Sequence, residues 1–182
     1  MCAFQVFHEV RGMFSIGDKI IYGSDGAYVV ADFTSSPVDK NDERQFYVLR
    51  PVHGPQGNVI ITPVGNENVK MRPVMSREDA LVLIDKIPSI PPLTVEKEKN
   101  RRNVYKEALA GATCEQLVSI VKTVMDRREL FIKQKKRLSE SDNDYERKAK
   151  YCLCGELAIA LDISLEEVDE FIRKRVSASV EA

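Results

Sequence analysis

The sequence predicts an α+β chain: a small antiparallel β-barrel of SH3-like size, followed by a compact all-α bundle. Three observations carry this. Two β-rich runs, Lys19 to Tyr22 and Ala27 to Val30, are joined across Gly23-Ser24-Asp25-Gly26, a tight-turn signal because glycine reaches φ > 0 without strain. Short β-rich runs between turn formers continue to about Val74. Beyond Ser76 the apolar residues recur at helical spacing.

The elements follow in order. Residues 1–12 show no periodicity and precede a second methionine that opens the hairpin; they read as a misassigned upstream start or cloning remnant, or else as an extra edge strand, with Met13 as the natural start. After the hairpin, Thr34 to Glu43 is a polar loop. Gln45 to Arg50 is the third strand, with Phe46 and Val48 alternating against Tyr47 and Leu49. Asn58 to Thr62 is the fourth, closed by Pro63, which cannot donate to a ladder, and Val69 to Met71 is the fifth. Five short strands with glycine-rich turns favour a strongly bent barrel.

Ser76-Arg77-Glu78-Asp79 opens a first helix, with Ala80, Leu83, Ile84 and Ile87 on one face, and Pro88 stops it. Residues 88–92 are a stiff proline-rich linker that holds the two modules at a limited set of angles. Thr94 caps a second helix from about Val95 to Ala110, and Gly111 ends it. Thr113 to Gln116 is a capping box for a third, whose stripe runs through Leu117, Ile120, Val121 and Val124 toward Phe131. A fourth helix follows a polar turn at Ser139 to Asp144, and Ser164 caps a fifth with Val168, Phe171 and Ile172 as its core face. The expected division is 13–75 for the barrel and 76–182 for the helices.

At 182 residues and 43% hydrophobic content the chain can bury a core, and no apolar run approaches the ~20 residues that span a bilayer. Without the basic start and apolar centre of a signal peptide, it reads as cytoplasmic. The four cysteines lack metal-ligand spacing and read as buried or idle thiols in a reducing compartment. No cofactor or metal is expected. His8 and His53 have no partners spaced for a triad, and Gly54-Pro55-Gln56-Gly57 lacks the Lys-Ser/Thr pair of a phosphate loop, so no enzyme is expected.

The net charge of −1 hides a basic middle: residues 96–150 hold 15 Lys+Arg against 10 Asp+Glu. Arg101-Arg102, Arg127-Arg128, Lys133 to Arg137 and Arg147 to Lys150 fall on successive helices and can converge on one phosphate-binding face. The competing reading is a solvated surface with i,i+4 pairs such as Glu98 to Arg102.

The opening Met-Phe-Ser-Ile-Gly-Asp-Lys-Ile-Ile-Tyr at 13–22, Phe46 to Arg50, Ile61 to Val64 and Met71 to Met75 resemble the CarD/CdnL-like family of bacterial transcription regulators. Tyr105-Lys106, Val121 to Arg128 and Lys148 to Ala158 resemble that family's helical half. The front module, Tudor-like in this family, also occurs in transcription-repair coupling factors. The resemblance implies an N-terminal domain that docks on the RNA polymerase β subunit and a helical domain that contacts promoter DNA, by backbone and minor groove, at the upstream edge of the bubble, stabilising the open complex. It implies no membrane partner and no small-molecule substrate. The implied polymerase contacts are Thr34, Ser35, Val59, Ile60, Ile61 and Thr62. The implied DNA contacts are Arg101, Arg102, Lys106, Arg127, Arg128, Lys148 and Lys150. Family members often carry a tryptophan wedge four residues before the Tyr-Lys pair; this chain has no tryptophan and has Arg101 there. The alternative is a polymerase-docking adaptor whose helical half binds another protein.

Overall fold

The computed structural model describes residues 14–37, 44–55, 57–111 and 113–180, so the expectations for residues 1–12 and Met13, and for part of the polar loop, lie outside the described residues. The first strands are β1 (Lys19–Tyr22), β2 (Gly26–Thr34) and β3 (Phe46–Pro51), joined by β4 (Ile60–Pro63) and β5 (Met71–Pro73) in one antiparallel sheet of order β4-β3-β2-β1-β5. The hairpin register, Tyr22 opposite Gly26, needs positive φ at Gly23 (50°) and Gly26 (105°), which is why glycines flank the turn.

The expected barrel does not close. Among the described residues β4 pairs only with β3 and β5 only with β1, leaving two edges without a strand partner. Between the ends of the sheet a side-chain contact stands in for a ladder: the Tyr22 hydroxyl donates to Thr62 Oγ1 at 3.4 Å. β2 runs on to Thr34, four residues past its expected end, because a bulge between Val30 and Asp32 shifts the register and breaks the alternation that the sequence pattern relies on. β5 lies two residues later than expected, since pairing of Met71, Arg72 and Pro73 with β1 decides the strand and Val69 packs as a side chain on the core. One face of the sheet buries Ile20, Tyr22, Tyr28, Val30, Tyr47 and Leu49 together.

Five helices follow: α1 (Arg77–Lys86), α2 (Arg101–Gly111), α3 (Cys114–Lys133), α4 (Glu140–Leu161) and α5 (Val168–Val180). Local capping chemistry sets three of the starts. Ser76 Oγ accepts the Asp79 N–H at 3.0 Å, Thr113 and Gln116 form a reciprocal capping box, and Ser139 Oγ accepts the Asp142 N–H at 3.2 Å. The polar stretch expected as a turn before α4 is therefore its first helical turn. α2 starts six residues after the expected Val95, following a single 3₁₀ turn at Glu98–Asn100. The segment before it is held extended across the bundle: the Leu93 N–H donates to Thr123 Oγ1 (2.7 Å), and Lys122 Nζ donates to the carbonyls of Pro88 (3.0 Å) and Ile90 (2.6 Å). Tertiary hydrogen bonds here override Thr94 as a cap.

Because α1 belongs to the helical core, with Ala80, Leu83 and Ile84 buried against Leu117, Leu157 and Leu161, the proline-rich stretch joins two helices of one bundle. Helix α4, not that stretch, joins the bundle to the sheet. The Tyr151 hydroxyl donates to the His53 carbonyl (2.6 Å), His53 Nε2 lies 3.0 Å from the Gly155 carbonyl, and Lys148 Nζ lies 3.5 Å from Asp25. A Cβ at Gly26 would come within 3.1 Å of the Tyr151 ring, so this glycine serves both the turn and the contact. At the centre is Glu156, 1% exposed, which accepts two bonds from Arg72 (2.5 and 2.7 Å), the Met75 N–H (3.1 Å) and the Cys114 thiol (3.1 Å).

Candidate functional site

The edge strand β4 presents part of the expected polymerase contact. Its side chains alternate as the pleat requires: Ile61 is 43% exposed, whereas Ile60 packs on the sheet core and Thr62 is 2% exposed. Thr62 Oγ1 also accepts from Asn66 Nδ2 (2.9 Å) and from Tyr22, so its side chain faces inward. Val59, 41% exposed, precedes the strand. Thr34 closes β2 in register with Phe46 and, through it, Pro63, so Thr34 and the exposed Ser35 lie at the Pro63 end of the sheet, two strands in from the edge. The exposed apolar pair Val59 and Ile61 and the unpaired side of β4 therefore form a surface suited to strand addition.

The seven expected DNA-contacting cations divide sharply. Arg101 is buried: its Nε donates to Asp142 Oδ1 at 2.7 Å, it pairs with Glu98, and its Nη2 lies 3.4 Å from Ser139 Oγ. Arg127 makes a bidentate pair with Glu98 (3.0 and 2.7 Å), lies 3.7 Å from Asp142, and stacks over Phe131 at 5.2 Å. These two arginines and two carboxylates form a neutral cluster that ties the starts of α2 and α4 to α3. Arg128 and Lys150 (3.1 Å) share Glu146, whose carboxyl burial alone would raise; the hydrogen bonds from Arg128 and Lys150 outweigh that and hold it below the usual glutamate range. Lys148 faces Asp25 across the sheet contact.

Arg102 and Lys106 are exposed and make no ion pair among the described residues. In sequence Arg101 and Arg102 look like equals; the structure places one inside and one outside. Their difference is hidden from sequence because the acid that draws Arg101 in, Asp142, is 41 residues away.

The thiols occupy packing positions. Cys114 and Cys152 are buried, and burial, then the Glu156 carboxylate, push the Cys114 thiol far up, so it stays protonated as the donor to Glu156. Burial likewise raises Cys152 to about 11. Among the described residues no group of three or more His, Cys, Asp or Glu side chains is placed to hold a metal ion, and no described helix is long and apolar enough to cross a membrane.

An open-edged antiparallel sheet is thus clamped to a cation-bearing helical bundle. Residues 14–75, which span the whole sheet, match the family model described as CarD-like/TRCF RID domain. The sheet is therefore similar to the RID domain of CarD-like proteins and transcription-repair coupling factors, a kind of domain that suggests RNA polymerase interaction. No curated protein matches the chain significantly.

Proposed function

We propose that this protein is a non-enzymatic transcription regulator that docks on the RNA polymerase β subunit through its sheet edge and holds promoter DNA at the upstream edge of the bubble with its helical bundle. The observation that carries the reading is the RID-domain match over a sheet whose edge strand β4 has no second strand partner among the described residues and exposes apolar Ile61, with exposed Val59 just before it. Strand addition supplies affinity through main-chain hydrogen bonds, with exposed side chains giving specificity. The exposed cations Arg102 and Lys106 support the DNA half, because unpaired cations release counterions on meeting phosphates, whereas Arg101 and Arg127 are already neutralised.

Capture of RNA polymerase by the tagged protein tests the docking half. Ile61→Lys with Val59→Lys places charge on the edge without touching the sheet core, and should abolish capture at an unchanged melting temperature; undiminished capture would refute docking through β4. One observation favours the adaptor reading instead. An apolar groove of about 380 Å³, lined by Val118, Val121, Met125, Leu153 and Ile172, could seat a partner helix. Polymerase capture without any salt-sensitive binding to duplex DNA would select that reading.

A further inference from the structure

Once the paired cations are set aside, the strongest concentration of unpaired positive charge lies at the end of α3. Lys133, Lys135, Lys136 and Arg137 are all exposed or nearly so and make no ion pair among the described residues. Two apolar side chains stand directly in front of them in open solvent: Ile132, 67% exposed, and Leu130, 54% exposed. The helix stops in a left-handed turn, in which the Lys136 N–H donates to the Phe131 carbonyl (2.8 Å) and the Lys135 N–H to the Ile132 carbonyl (3.0 Å). Lys135 takes φ of 54° at the position that usually holds glycine, so this cation stands where the backbone disfavours a side chain.

This turn belongs to the same end of the bundle as Arg102. Arg137 lies two residues before Ser139, whose Oγ faces Arg101, the neighbour of Arg102. Packing does not account for the turn: Leu130 and Ile132 stand in solvent, and its cations hold no described acid.

We propose that the end of α3 is a duplex-DNA contact in which Lys133, Lys135, Lys136 and Arg137 hold phosphates while Ile132, with Leu130 beside it, makes the apolar contact in the groove. The inference rests on the DNA-binding reading above and assigns its main contact to the Lys133–Arg137 tract and the apolar residues before it, outside the seven residues singled out as contacts. Cations flanking a projecting aliphatic side chain are the combination by which proteins grip phosphates and press into an opened base step. A lipid surface would require a wide apolar helix face, and here two aliphatic residues lead into a turn. The charge is uniformly positive and therefore complements a polyanion.

The test is fluorescence anisotropy of the full chain with a forked duplex and with a fully paired duplex, over a range of salt. Lys133→Gln, Lys135→Gln and Lys136→Gln together should weaken binding about tenfold or more at moderate salt and lower the log–log salt slope by about 0.9 for each phosphate that is no longer neutralised. Ile132→Ser should weaken binding to the fork by about threefold or more while leaving the slope unchanged, because it removes an apolar side chain and no charge. Lys174→Gln, an exposed α5 cation paired with Glu170, is the control and should bind as wild type. Wild-type affinity and slope in the triple variant would overturn this assignment while leaving DNA binding by the chain intact. No DNA binding by the wild-type protein would overturn the broader reading with it. Binding to phosphatidylserine vesicles that is abolished in the triple variant, with no DNA binding, would assign the turn to an anionic lipid surface and likewise overturn the proposal.

Discussion

A single side chain's surroundings decide whether a basic residue is a ligand contact or a structural part. Arg101 and Arg102 are neighbours in sequence with opposite roles. Asp142 is fully buried and Arg101 nearly so; without Arg101 the Asp142 carboxylate keeps the Ser139 hydroxyl and the longer 3.7 Å contact to Arg127, so the cost falls at the low end for a broken buried pair, about 3 kcal/mol. Arg101→Ala is therefore expected to lower the unfolding free energy from urea titration by that amount, whereas Arg102→Ala should stay within about 0.5 kcal/mol of wild type and show its effect only in DNA binding. Glu146 supplies a second residue-scale prediction. Its folded carboxyl is held below the ordinary value of 4.5, so its stabilisation is fully present above that value and is lost as pH falls through the lower folded one. Melting temperatures measured from about pH 6 to about pH 3 should show Glu146→Gln less stable than wild type by a constant margin that closes only below pH 4.5. The caps at Ser76 and Thr113 are legible in the sequence because a cap acts over three residues. The fates of Arg101, Arg127 and Glu146 are not, because each depends on groups that only the folded chain brings together.

At the scale of elements, the sequence marks the strands and helices well and their ends less well. β2 reads short because a bulge hides continuation from a period-two pattern, and α2 reads long because Thr94 and Val95 look like a helix start until Leu93 is bonded to Thr123. The sheet edge is legible from Val59 to Thr62 as a strand. Which of its side chains face outward follows from the pairing with β3, which places Ile61 outside and Thr62 inside. The end of α3 carries its own prediction. Glycine relieves the left-handed strain at position 135, so Lys135→Gly should raise stability by about 1 kcal/mol, read as a higher urea midpoint, even as it removes a cation. No gain would mean that side-chain packing already compensates the backbone.

For the whole molecule, the arrangement of sheet and bundle depends on Glu156. Its carboxylate gathers donors from β5 (Arg72), from the segment leading to α1 (Met75) and from α3 (Cys114). Glu156→Ala removes the carboxylate partner of Arg72, which is about a third exposed and can turn toward water, so the expected loss is moderate, about 2 kcal/mol. Hydrogen exchange should then quicken at the β1–β2 turn and at Met75 ahead of the bundle interior. Uniform exchange across both halves would show that Tyr151 and His53 hold the contact without it. The sequence suggests two modules held apart by a stiff proline-rich linker. Instead, the proline-rich stretch links two helices of the bundle along its surface, and a helix residue fastens the modules, a relation spread over 84 positions that no local pattern records.

Helix α4 has a metrical consequence. One end carries Asp142, in the cluster beside Arg102 and the α3 turn; further along the same uninterrupted helix is Glu156, gripping the sheet. At about 1.5 Å per residue, roughly 21 Å of rigid rod separates them. If each end meets its own partner, this rod sets the spacing and the rotational phase between the two. A single residue inserted into its middle would turn one end by about 100° against the other, so that each half could still bind alone while the two could no longer bind together.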